Sequence, residues 1–444
     1  MDFEKLFLAI EKIVVDSRED CSSALFVPIR GEKVDGHRFI PMAISHGAKE
    51  IFTEEDFSDL GKQYPDVHFH RVENTLAALQ DFGAYCRRRY RGKLIGVTGS
   101  VGKTTTREMI ATALSSEKTV FQTKGNANSQ IGVPITLFHM AKEEREISVI
   151  EMGVSIPGEM EKLARMASVD MAVFTNIGTA HLENMQTKEN TCFEKMHILM
   201  GENRTVHLYL PKKDLILSVL DEKKIYEMGF LGGKREEREG SVKGSSEEEE
   251  RIHLKLSFYE KANIPLSVPG EHMQENAGIA LLLSKELGVS EEAAKKALFT
   301  FTGLPGRGEK IRTKKGITIL DDSYNASPDS MKASLHVLSA EKGGRKIAVL
   351  GDMNELGRDE LLLHREIGEE LRKLSIDALF TLGEKSKEIW KGLGEKKIPG
   401  EACTSLSALT EAVKDEVREG DIVLFKASHS LSLSTVINKL LEEE

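Results

Sequence analysis

The chain has 444 residues, of which 40% are hydrophobic and 30% charged, and this balance is typical of a water-soluble globular protein with two or three domains. Its formal net charge of −10 argues against a nucleic-acid partner, and its four cysteines lack the C-x-x-C spacing that indicates a zinc site. With no signal-peptide pattern and no apolar run of the about 20 residues that a membrane helix needs, we expect a cytoplasmic protein without membrane insertion.

Residues 1–90 combine short strand patterns with a helical segment. The strand patterns are "SALFVPIRG", "AKEIFTEE" and "VHFHRV", and the helical segment is "ENTLAALQDFGAYCRRRY". The basic run "RRRYRGK" that follows is interpreted as a solvated helix end. We therefore predict a small α/β domain that ends near residue 90.

The next segment changes to strand, glycine-rich turn and helix, in "KLIGVT", "GSVG" and "KTTTREMIATALSS". The strict Walker A pattern fails because Val97 stands at its first glycine, yet Gly99, Gly102, Lys103 and Thr104 remain. Backbone N–H groups at such a helix start bind phosphate, a lysine neutralises the outer phosphates, and a hydroxyl reaches Mg²⁺. The alternative is an ordinary glycine-rich turn, but Lys-Thr directly after the second glycine favours a nucleotide site.

Two further strand patterns, "ISVIEMG" and "MAVFTNIG", flank the helical "GEMEKLARMA", and this alternation predicts a parallel sheet. Glu151 ends the first of these strands, where an acid suits either a Mg²⁺ ion or the cap of the next helix. Asn176 and His181 follow the second strand. A lone histidine is usually structural, but the carboxyl edge of an open sheet is where ligands bind.

Polar loops follow. "TKGNANSQIGVP" contains Thr123, Asn126 and Asn128, and such a loop either hydrogen-bonds a polar substrate or is only a loop. "LPGRGEK" marks a boundary near residue 305 and places Arg307 there, where it can clamp phosphate. "LDDSYNASPDSM" follows a strand and offers Asp321, Asp322, Tyr324 and Asn325. Its "ASPDS" portion alone is only turn chemistry.

The remaining segment has the strand patterns "RKIAVLGDM", "DALFTLG" and "DIVLFKAS", which alternate with helices such as "ELLLHREIGEELRKL". We therefore predict an α/β protein with three domains: residues 1–90, a central P-loop parallel-sheet ATPase domain at 91–304, and a Rossmann-like domain at 305–444. The charged stretch "GKREEREGSVKGSSEEEER" is interpreted as a solvated loop of the central domain.

Taken together, "GVTGSVGKTTT", "EMG", "NIGTAHLE", "PGRGEK" and "DDSYNASPDSM" resemble, in this order, the motifs of the Mur ligases. "TKGNANSQIGVP" and "GDMNELG" look most like the branch that adds D-alanyl-D-alanine. The segment "VDSREDCSSALFVPIRGEKVDGHRFIPMAISHGA" is similar to the family's uridine-nucleotide-binding domain. The resemblance runs from about residue 15 to the carboxyl terminus and is weakest at residues 196–262.

The resemblance implies an ATP-dependent amide ligase of peptidoglycan precursor synthesis, and nothing in the sequence demands more than a monomer. In that reaction ATP phosphorylates the free carboxylate of a UDP-N-acetylmuramoyl tripeptide. The amino group of D-alanyl-D-alanine then attacks the acyl phosphate, and ADP and phosphate are released. Such chemistry is mostly positioning and charge neutralisation, which the residues described above can supply.

The resemblance also implies roles for individual residues. The catalytic residues are Lys103, His181 and Lys195. Lys195 matches a lysine that reacts with CO₂ to form a carbamate, which requires a neutral amine and hence a lowered pKa. The ATP-binding residues are Gly99, Ser100, Gly102, Lys103, Thr104, Thr105, Asn276, Arg307 and Asp322. The substrate-binding residues are Ser17, Arg18, Thr123, Asn126, Asn128 and Asn325. The ligands of two Mg²⁺ ions are Thr104, Glu151, His181 and Lys195.

Several positions depart from the family pattern. Met273 and Ser129 each replace an asparagine, and Ala427 and His429 replace the glycine and arginine of a Lys-Gly-Ser-Arg element. The Asn-x-Asp-Asp element expected after Lys195 is not evident. An alanine is strained wherever the glycine had a positive φ. Met273, Ala427 and His429 keep open the alternative of a nucleotide-binding regulatory protein that has lost ligation. Another ligase of the superfamily is a second alternative, but the amino-terminal region argues against a folylpolyglutamate synthase, which lacks that domain, and "DDSYNASPDSM" disfavours the sister ligases.

Overall fold

The computed structural model describes residues 1–442 except 32, 57, 204 and 229–252. The strands of this part of the chain form one four-stranded and two six-stranded sheets. The charged stretch "GKREEREGSVKGSSEEEER" lies outside the described residues. Within them, the structure contains no helix with both the length and the apolar character that crossing a membrane requires.

The first sheet is parallel and has the order β1-β2-β3-β4. Its strands are β1 Lys12–Val14, β2 Ala24–Phe26, β3 Glu50–Thr53 and β4 His68–Arg71. The helices of this region are α1 Phe3–Ala9, α2 Ile40–Ser45, α3 Ser58–Gln63 and α4 Thr75–Arg89. The predicted strands and the predicted long helix are confirmed.

The central sheet is parallel and has the order β10-β9-β8-β5-β7-β6. Its strands are β5 Lys93–Thr98, β6 Val120–Gln122, β7 Ile147–Glu151, β8 Met171–Phe174, β9 Thr205–Pro211 and β10 His253–Tyr259. The helices are α5 Lys103–Leu114, α6 Gly132–Glu143, α7 Glu159–Ala167, α8 Leu182–Met185, α9 Lys188–Met196, α10 Glu222–Glu227, α11 Glu271–Glu286 and α12 Glu291–Phe299. Strand β5 lies between β7 and β8, and ligands of open sheets bind at the carboxyl ends beside such a switch in strand order.

The third sheet has the order β11-β12-β16-β13-β14-β15. Its strands are β11 Glu309–Arg312, β12 Thr318–Asp321, β13 Lys346–Gly351, β14 Ala378–Leu382, β15 Gly400–Cys403 and β16 Ile422–Lys426. The helices are α13 Pro328–Ala340, α14 Glu360–Leu371, α15 Lys387–Gly392, α16 Leu406–Glu416 and α17 Ser434–Glu442. The pairing is parallel as predicted, except that the edge strand β11 runs antiparallel to β12.

The first and central sheets share an apolar core through α4. Phe82 of α4 lies beside Phe138 of α6, with ring centroids 5.9 Å apart. At the end of α4, the Arg87 Nε donates a hydrogen bond to the Ala167 carbonyl at 2.8 Å, and its side chain is only 12% exposed. The interpretation of "RRRYRGK" as a solvated helix end is therefore wrong for Arg87, because α7 ends against α4 and offers it carbonyl partners.

The predicted domain boundaries near residues 90 and 304 each fall between two sheets. Strand β4 ends at residue 71 and β5 begins at 93, and β10 ends at 259 and β11 begins at 309. Helices α11 and α12 precede the second boundary and pack against α5 of the central sheet. The boundaries themselves stay predictions.

Candidate active site

A cleft of about 900 Å³ separates the carboxyl edge of the central sheet from the third sheet. The predicted site residues that line it are Ser100, Gly102, Lys103, Thr104, Thr105, Asn126, Asn128, Glu151, His181, Asn276, Arg307, Asp322 and Asn325. The predicted residues outside its lining are Ser17, Arg18, Gly99, Thr123 and Lys195. Residues that are far apart in the sequence are thus brought to one place.

The loop between β5 and α5 has the geometry of a phosphate cradle. Gly102 is the N-cap residue of α5, has a φ of 82° and makes no side-chain cap hydrogen bond. The first N–H groups of the helix therefore have no side-chain acceptor at this cap and are open to an anion. The predicted strand, turn and helix around the loop are confirmed.

Lys103 folds back over this loop. Its Nζ donates hydrogen bonds to the carbonyl oxygens of Gly99 at 3.0 Å and Ser100 at 3.4 Å. Burial lowers the pKa of Lys103, the nearby Glu151 carboxylate acts in the opposite direction, and Arg307 lowers the pKa further. The amine is therefore held at the cleft wall among groups that would face the phosphates of a nucleotide.

The two loop glycines provide a prediction with an internal control. Gly99 has a φ of 143°, and a Cβ there would lie 2.0 Å from the Thr175 Oγ1, whereas a Cβ at Gly102 would meet only the Thr106 Oγ1 at 4.0 Å. We expect Gly99→Ala to lower the free energy of unfolding by about 3 kcal/mol through this clash. Gly102→Ala should cost about 1 kcal/mol, from backbone strain alone. Denaturant unfolding of both variants measures the difference, and equal losses would contradict the packing of Gly99 against Thr175.

Glu151 is the buried acid at the carboxyl end of β7, and both of its carboxylate oxygens have partners. Thr104 donates its hydroxyl to the Glu151 Oε2 at 2.8 Å, and the Asn128 side-chain amide donates to Oε1 at 2.7 Å. The backbone N–H of Glu151 donates to the Thr123 hydroxyl at 3.0 Å, so Thr123 lies behind the cleft and holds this strand end. The Thr104 hydroxyl and the Glu151 carboxylate are close enough to bind one divalent cation.

Asn176 holds the phosphate loop through two hydrogen bonds to the Val101 backbone. Its Oδ1 accepts a hydrogen bond from the Val101 N–H at 3.0 Å, and its Nδ2 donates to the Val101 carbonyl at 2.9 Å. The Gly178 N–H donates to the Ser100 hydroxyl at 2.9 Å, which adds a second link. Asn176 therefore positions the cradle, a role that its place after a strand did not reveal.

Asp329 connects the third sheet's region to the central one. Its Oδ2 accepts hydrogen bonds from the Thr179 N–H at 2.8 Å and from the Thr179 hydroxyl at 2.9 Å. Ser327 caps α13 and Pro328 is its first residue, so "ASPDS" begins a helix and is not only the turn that was predicted. That interpretation was incomplete, because Asp329 in the first turn of α13 reaches across the cleft.

Lys195 lies behind the cleft on α9 and is 1% exposed. Its Nζ has no hydrogen-bond partner. Burial lowers the pKa of Lys195 to about 7, and the positive charge of Lys103 contributes in the same direction. The predicted lowering is confirmed, and a buried amine without a partner fits a lysine that reacts as a neutral nucleophile.

The opposite wall is formed by residues that follow β12 and β16. Lys426 is buried, and its Nζ contacts the Asp322 Oδ2 at 2.6 Å and the Asn325 carbonyl at 3.1 Å. Ser334 donates its hydroxyl to the same Asp322 oxygen. Sequence reasoning missed Lys426, although a lysine at the end of the buried strand "DIVLFK" was a signal that could have found it.

An aromatic side chain organises the junction beside Arg307. The Arg307 guanidinium lies 3.8 Å from the centroid of the Tyr324 ring, and His429 lies on that ring with centroids 5.0 Å apart. Asn126 donates its side-chain amide to the Tyr324 hydroxyl. Tyr324 therefore joins the loop that carries Asn126, the junction residue Arg307 and the substituted His429.

The departures from the family pattern are accommodated. Ala427 has no positive φ and packs against Gly351, so the alanine introduces none of the predicted strain. Met273 is a buried part of the apolar core. Asn276, three residues on, accepts a hydrogen bond from the Thr106 hydroxyl at 2.8 Å and keeps its place at the cleft.

Ser17 and Arg18 lie in the first sheet's region, outside the cleft lining. Ser17 is buried and its hydroxyl contacts the Met42 sulfur at 3.3 Å. Arg18 is 81% exposed and pairs with Asp16, and this pairing holds the pKa of the Asp16 carboxyl at about 2. Their predicted contact with a uridine nucleotide stays a prediction.

Family models for three domains match the chain. The model described as "Mur ligase family, catalytic domain" matches residues 9–84, and "Mur ligase middle domain" matches residues 97–284. The model "Mur ligase, glutamate ligase domain" matches residues 306–429. The three matches follow one another along the chain and correspond to its three sheets.

Similar proteins match over almost the whole chain. The UDP-N-acetylmuramoyl-tripeptide--D-alanyl-D-alanine ligase of Bacillus subtilis is 33% identical over 438 residues, which are 98% of this chain and 93% of the relative. The Synechocystis protein of the same name is 32% identical, with the same coverage. The solved structure of MurF ligase from Thermotoga maritima in complex with ADP has a TM-score of 0.79 and 27% identity, and the match covers 98% of this chain and 99% of that one.

Proposed function

The chain belongs to the Mur ligase family, and we propose that it adds D-alanyl-D-alanine to a UDP-N-acetylmuramoyl tripeptide in peptidoglycan precursor synthesis. It is an ATP-dependent ligase that forms a C–N bond through an acyl phosphate and releases ADP and phosphate. The observation that carries the proposal is the cleft in which the phosphate loop of the central domain faces Arg307 and Asp322 of the third domain.

The nucleotide lies between the two domains. The phosphates bind the N–H groups at the start of α5 and the Lys103 amine, and Asn276 contacts the adenine side. Arg307 and Asp322 meet the nucleotide from the third domain, where Lys426 holds Asp322 by a 2.6 Å ion pair. This arrangement brings ATP and the acceptor carboxylate together only when both domains are in place.

The reaction has two steps. A carboxylate oxygen of the tripeptide attacks the γ-phosphorus, the bond to the bridging oxygen breaks, and ADP leaves. The neutral amino group of D-alanyl-D-alanine then attacks the acyl carbonyl, the nitrogen of the tetrahedral intermediate loses a proton to solvent, and phosphate is expelled. Lys103 and Arg307 offset the negative charge in the first step, and the Asn126 and Asn128 loop orients the peptide in the second.

We propose that the chain binds two Mg²⁺ ions and that Lys195 is carbamylated. Thr104 and Glu151, 2.8 Å apart, would hold one ion, and His181 with carbamylated Lys195 would hold the second. When bound, these ions supply neutralisation of the charge on the transferred phosphoryl group and the acyl phosphate. The buried Lys195 amine without a hydrogen-bond partner is the feature that favours the carbamate, because its lowered pKa provides the neutral amine that reacts with CO₂.

The other substrate groups are assigned by the same proposal. Residues 1–90 bind the uridine diphosphate through Ser17 and Arg18, residues 91–304 bind ATP, and residues 305–444 complete the site with Asn325. We propose a cytoplasmic monomer, and the four cysteines, all free and buried, support a reducing compartment. The regulatory alternative was motivated by Met273, Ala427 and His429, and the unstrained backbone at Ala427 weakens that motive.

Phosphate release with ATP, Mg²⁺, the UDP-N-acetylmuramoyl tripeptide and D-alanyl-D-alanine tests the proposal. We expect release only when all four are present, together with a UDP-N-acetylmuramoyl pentapeptide detected by mass spectrometry. Tripeptides with lysine and with diaminopimelate at the third position should both be offered, so that substrate choice does not mask activity. If the protein binds ATP but turns over neither tripeptide, the ligase proposal is refuted and the regulatory alternative is favoured.

A further inference from the structure

Glu355 reaches from the third domain to His181 of the central domain. It lies in "GDMNELG", after β13, and its Oε2 contacts the His181 Nδ1. The two residues are 174 positions apart in the sequence, so only the docking of the two domains brings them together. Both line the cleft. In the sequence this motif supported the family resemblance only, and it indicated no role for the glutamate.

This contact selects one form of the imidazole. A carboxylate accepts hydrogen bonds and does not donate them, so the His181 Nδ1 carries the hydrogen and donates it to Glu355. In the neutral ring the Nε2 then carries no hydrogen, and its lone pair is available to a ligand. Carboxylates that bind the second ring nitrogen of a functional histidine commonly fix its tautomer and its ring orientation.

The backbone on both sides is built around the contact. His181 has a φ of 61° and Glu355 a φ of 62°, so two non-glycine residues with left-handed backbones face each other across the cleft. The Glu183 N–H also donates a hydrogen bond to the Glu355 carbonyl at 3.1 Å. Residues held in such sparsely populated conformations cluster at functional sites, because the surrounding structure must compensate for the strain.

Gly357 allows the two loops to approach this closely. It has a φ of 68°, and a Cβ there would lie 3.2 Å from the Glu183 Cα. The Asp329–Thr179 hydrogen bonds form a second tether a short distance along the same strand-end loop. The His181 loop is thus held by the third domain at two points, one of them the imidazole itself.

We propose that Glu355 is a positioning residue, which fixes the ring and tautomer of His181 once the third domain is docked on the central one. The inference rests on the proposed function in one respect, namely that His181 acts at the reacting groups. Beyond that function, it proposes that the third domain fixes the tautomer and ring orientation of His181 in the central domain, in addition to contacting the nucleotide. Ligation thereby becomes dependent on the docked arrangement.

The test is a double-mutant cycle of Glu355 and His181, with the turnover number and the KM values as readouts. Glu355→Ala should lower kcat by roughly 10- to 100-fold, the range seen when carboxylates behind functional histidines are removed. The KM for ATP should change little, because the phosphate loop is untouched. In a His181→Ala background, the added Glu355→Ala should have no further effect. Glu355→Gln keeps an accepting oxygen and should recover most of the activity.

The control is Glu384→Gln, in the same domain, whose exposed carboxylate pairs with Lys387 outside the cleft. It should leave kcat and KM unchanged. Equal losses from Glu355→Ala in the presence and absence of His181 would overturn the proposal, since a merely structural docking contact predicts additive effects.

A second measurement is independent of turnover. In ¹⁵N spectra of the imidazoles, with His181 assigned by its loss in His181→Ala, wild type should show a protonated Nδ1 and an unprotonated Nε2. Glu355→Ala should shift His181 to a mixture of tautomers. An unchanged tautomer overturns the positioning role. An inactive wild type with the expected spectra would instead refute the proposed function and leave the positioning of the ring intact.

Discussion

Lys195→Met is expected to slow ligation strongly and, at the same time, to stabilise the fold. The wild-type amine is 1% exposed without a hydrogen-bond partner, and its pKa is lowered to about 7 by burial. Burying an ammonium in this way costs free energy, on the order of a few kcal/mol for a shift of this size. Methionine has a similar length and no charge, so it removes this cost while deleting the nitrogen that the carbamate requires.

The pH dependence of stability gives the sign of this effect. The folded-state pKa of Lys195 is about 7, below the ordinary value of 10.5, so between these pH values the unfolded chain binds more protons than the folded one. Stability from this residue therefore rises with pH across that window, and the cost is fully present below it. In CO₂-depleted buffer, where the wild-type amine is not carbamylated, Lys195→Met should have a higher midpoint of thermal unfolding at pH 7 than wild type, and the advantage should shrink toward pH 10.

Activity should move in the opposite direction. We expect Lys195→Met to lose roughly 10²- to 10³-fold in kcat, comparable to the loss of one group that stabilises charge in a transition state. Wild type in CO₂-depleted buffer should lose activity and regain it on addition of bicarbonate, and the variant should not respond. Lys188→Met, at the start of the same helix, is the matched control. Full activity of Lys195→Met, or wild-type turnover independent of bicarbonate, would contradict the carbamate.

The elements of this fold were largely predictable, because each depends on a local pattern. The phosphate loop, the strand that ends at Glu151 and the strands β13, β14 and β16 of the third sheet follow from apolar runs near glycine-containing turns. The antiparallel edge strand β11 was not predicted, since "EKIR" carries no more than a short alternation after a turn. Its pairing with β12 depends on the hairpin geometry and not on its own composition.

The cleft was predictable only in part, because its contacts join distant positions. Lys426 holds Asp322 across 104 residues, and Glu355 meets His181 across 174. No spacing rule relates such pairs. The pairing of β12 with β16 in the third sheet places Lys426 beside Asp322, and the contact between the third and central domains places Glu355 beside His181. Asn176 was predicted to lie at a strand end, but its two hydrogen bonds to the Val101 backbone depend on the conformation of the phosphate loop and could not be predicted.

Lys103→Ala should remove nucleotide-dependent phosphate release, with a loss of roughly 10³-fold or more in kcat/KM, because the lysine is the positive charge built into the phosphate loop. Its pKa is lowered by burial, so the free protein should lose little stability, or gain some, when the amine is removed. Added ADP and Mg²⁺ should hardly stabilise the variant, because a ligand raises the free energy of unfolding only when it binds the folded state.

Thermal unfolding with and without the nucleotide separates these effects from a folding defect. The matched control is Lys124→Ala, in the neighbouring loop, where the side chain is 79% exposed and pairs with Glu143 at 3.7 Å. It should retain both turnover and stabilisation by ADP. Because the charge of Lys103 also lowers the pKa of Lys195, its removal should raise that pKa and make the activity that remains depend more steeply on bicarbonate. Normal ATP binding and hydrolysis by Lys103→Ala would mean that the nucleotide binds outside this loop. That result would contradict the assignment of the cleft as the active site.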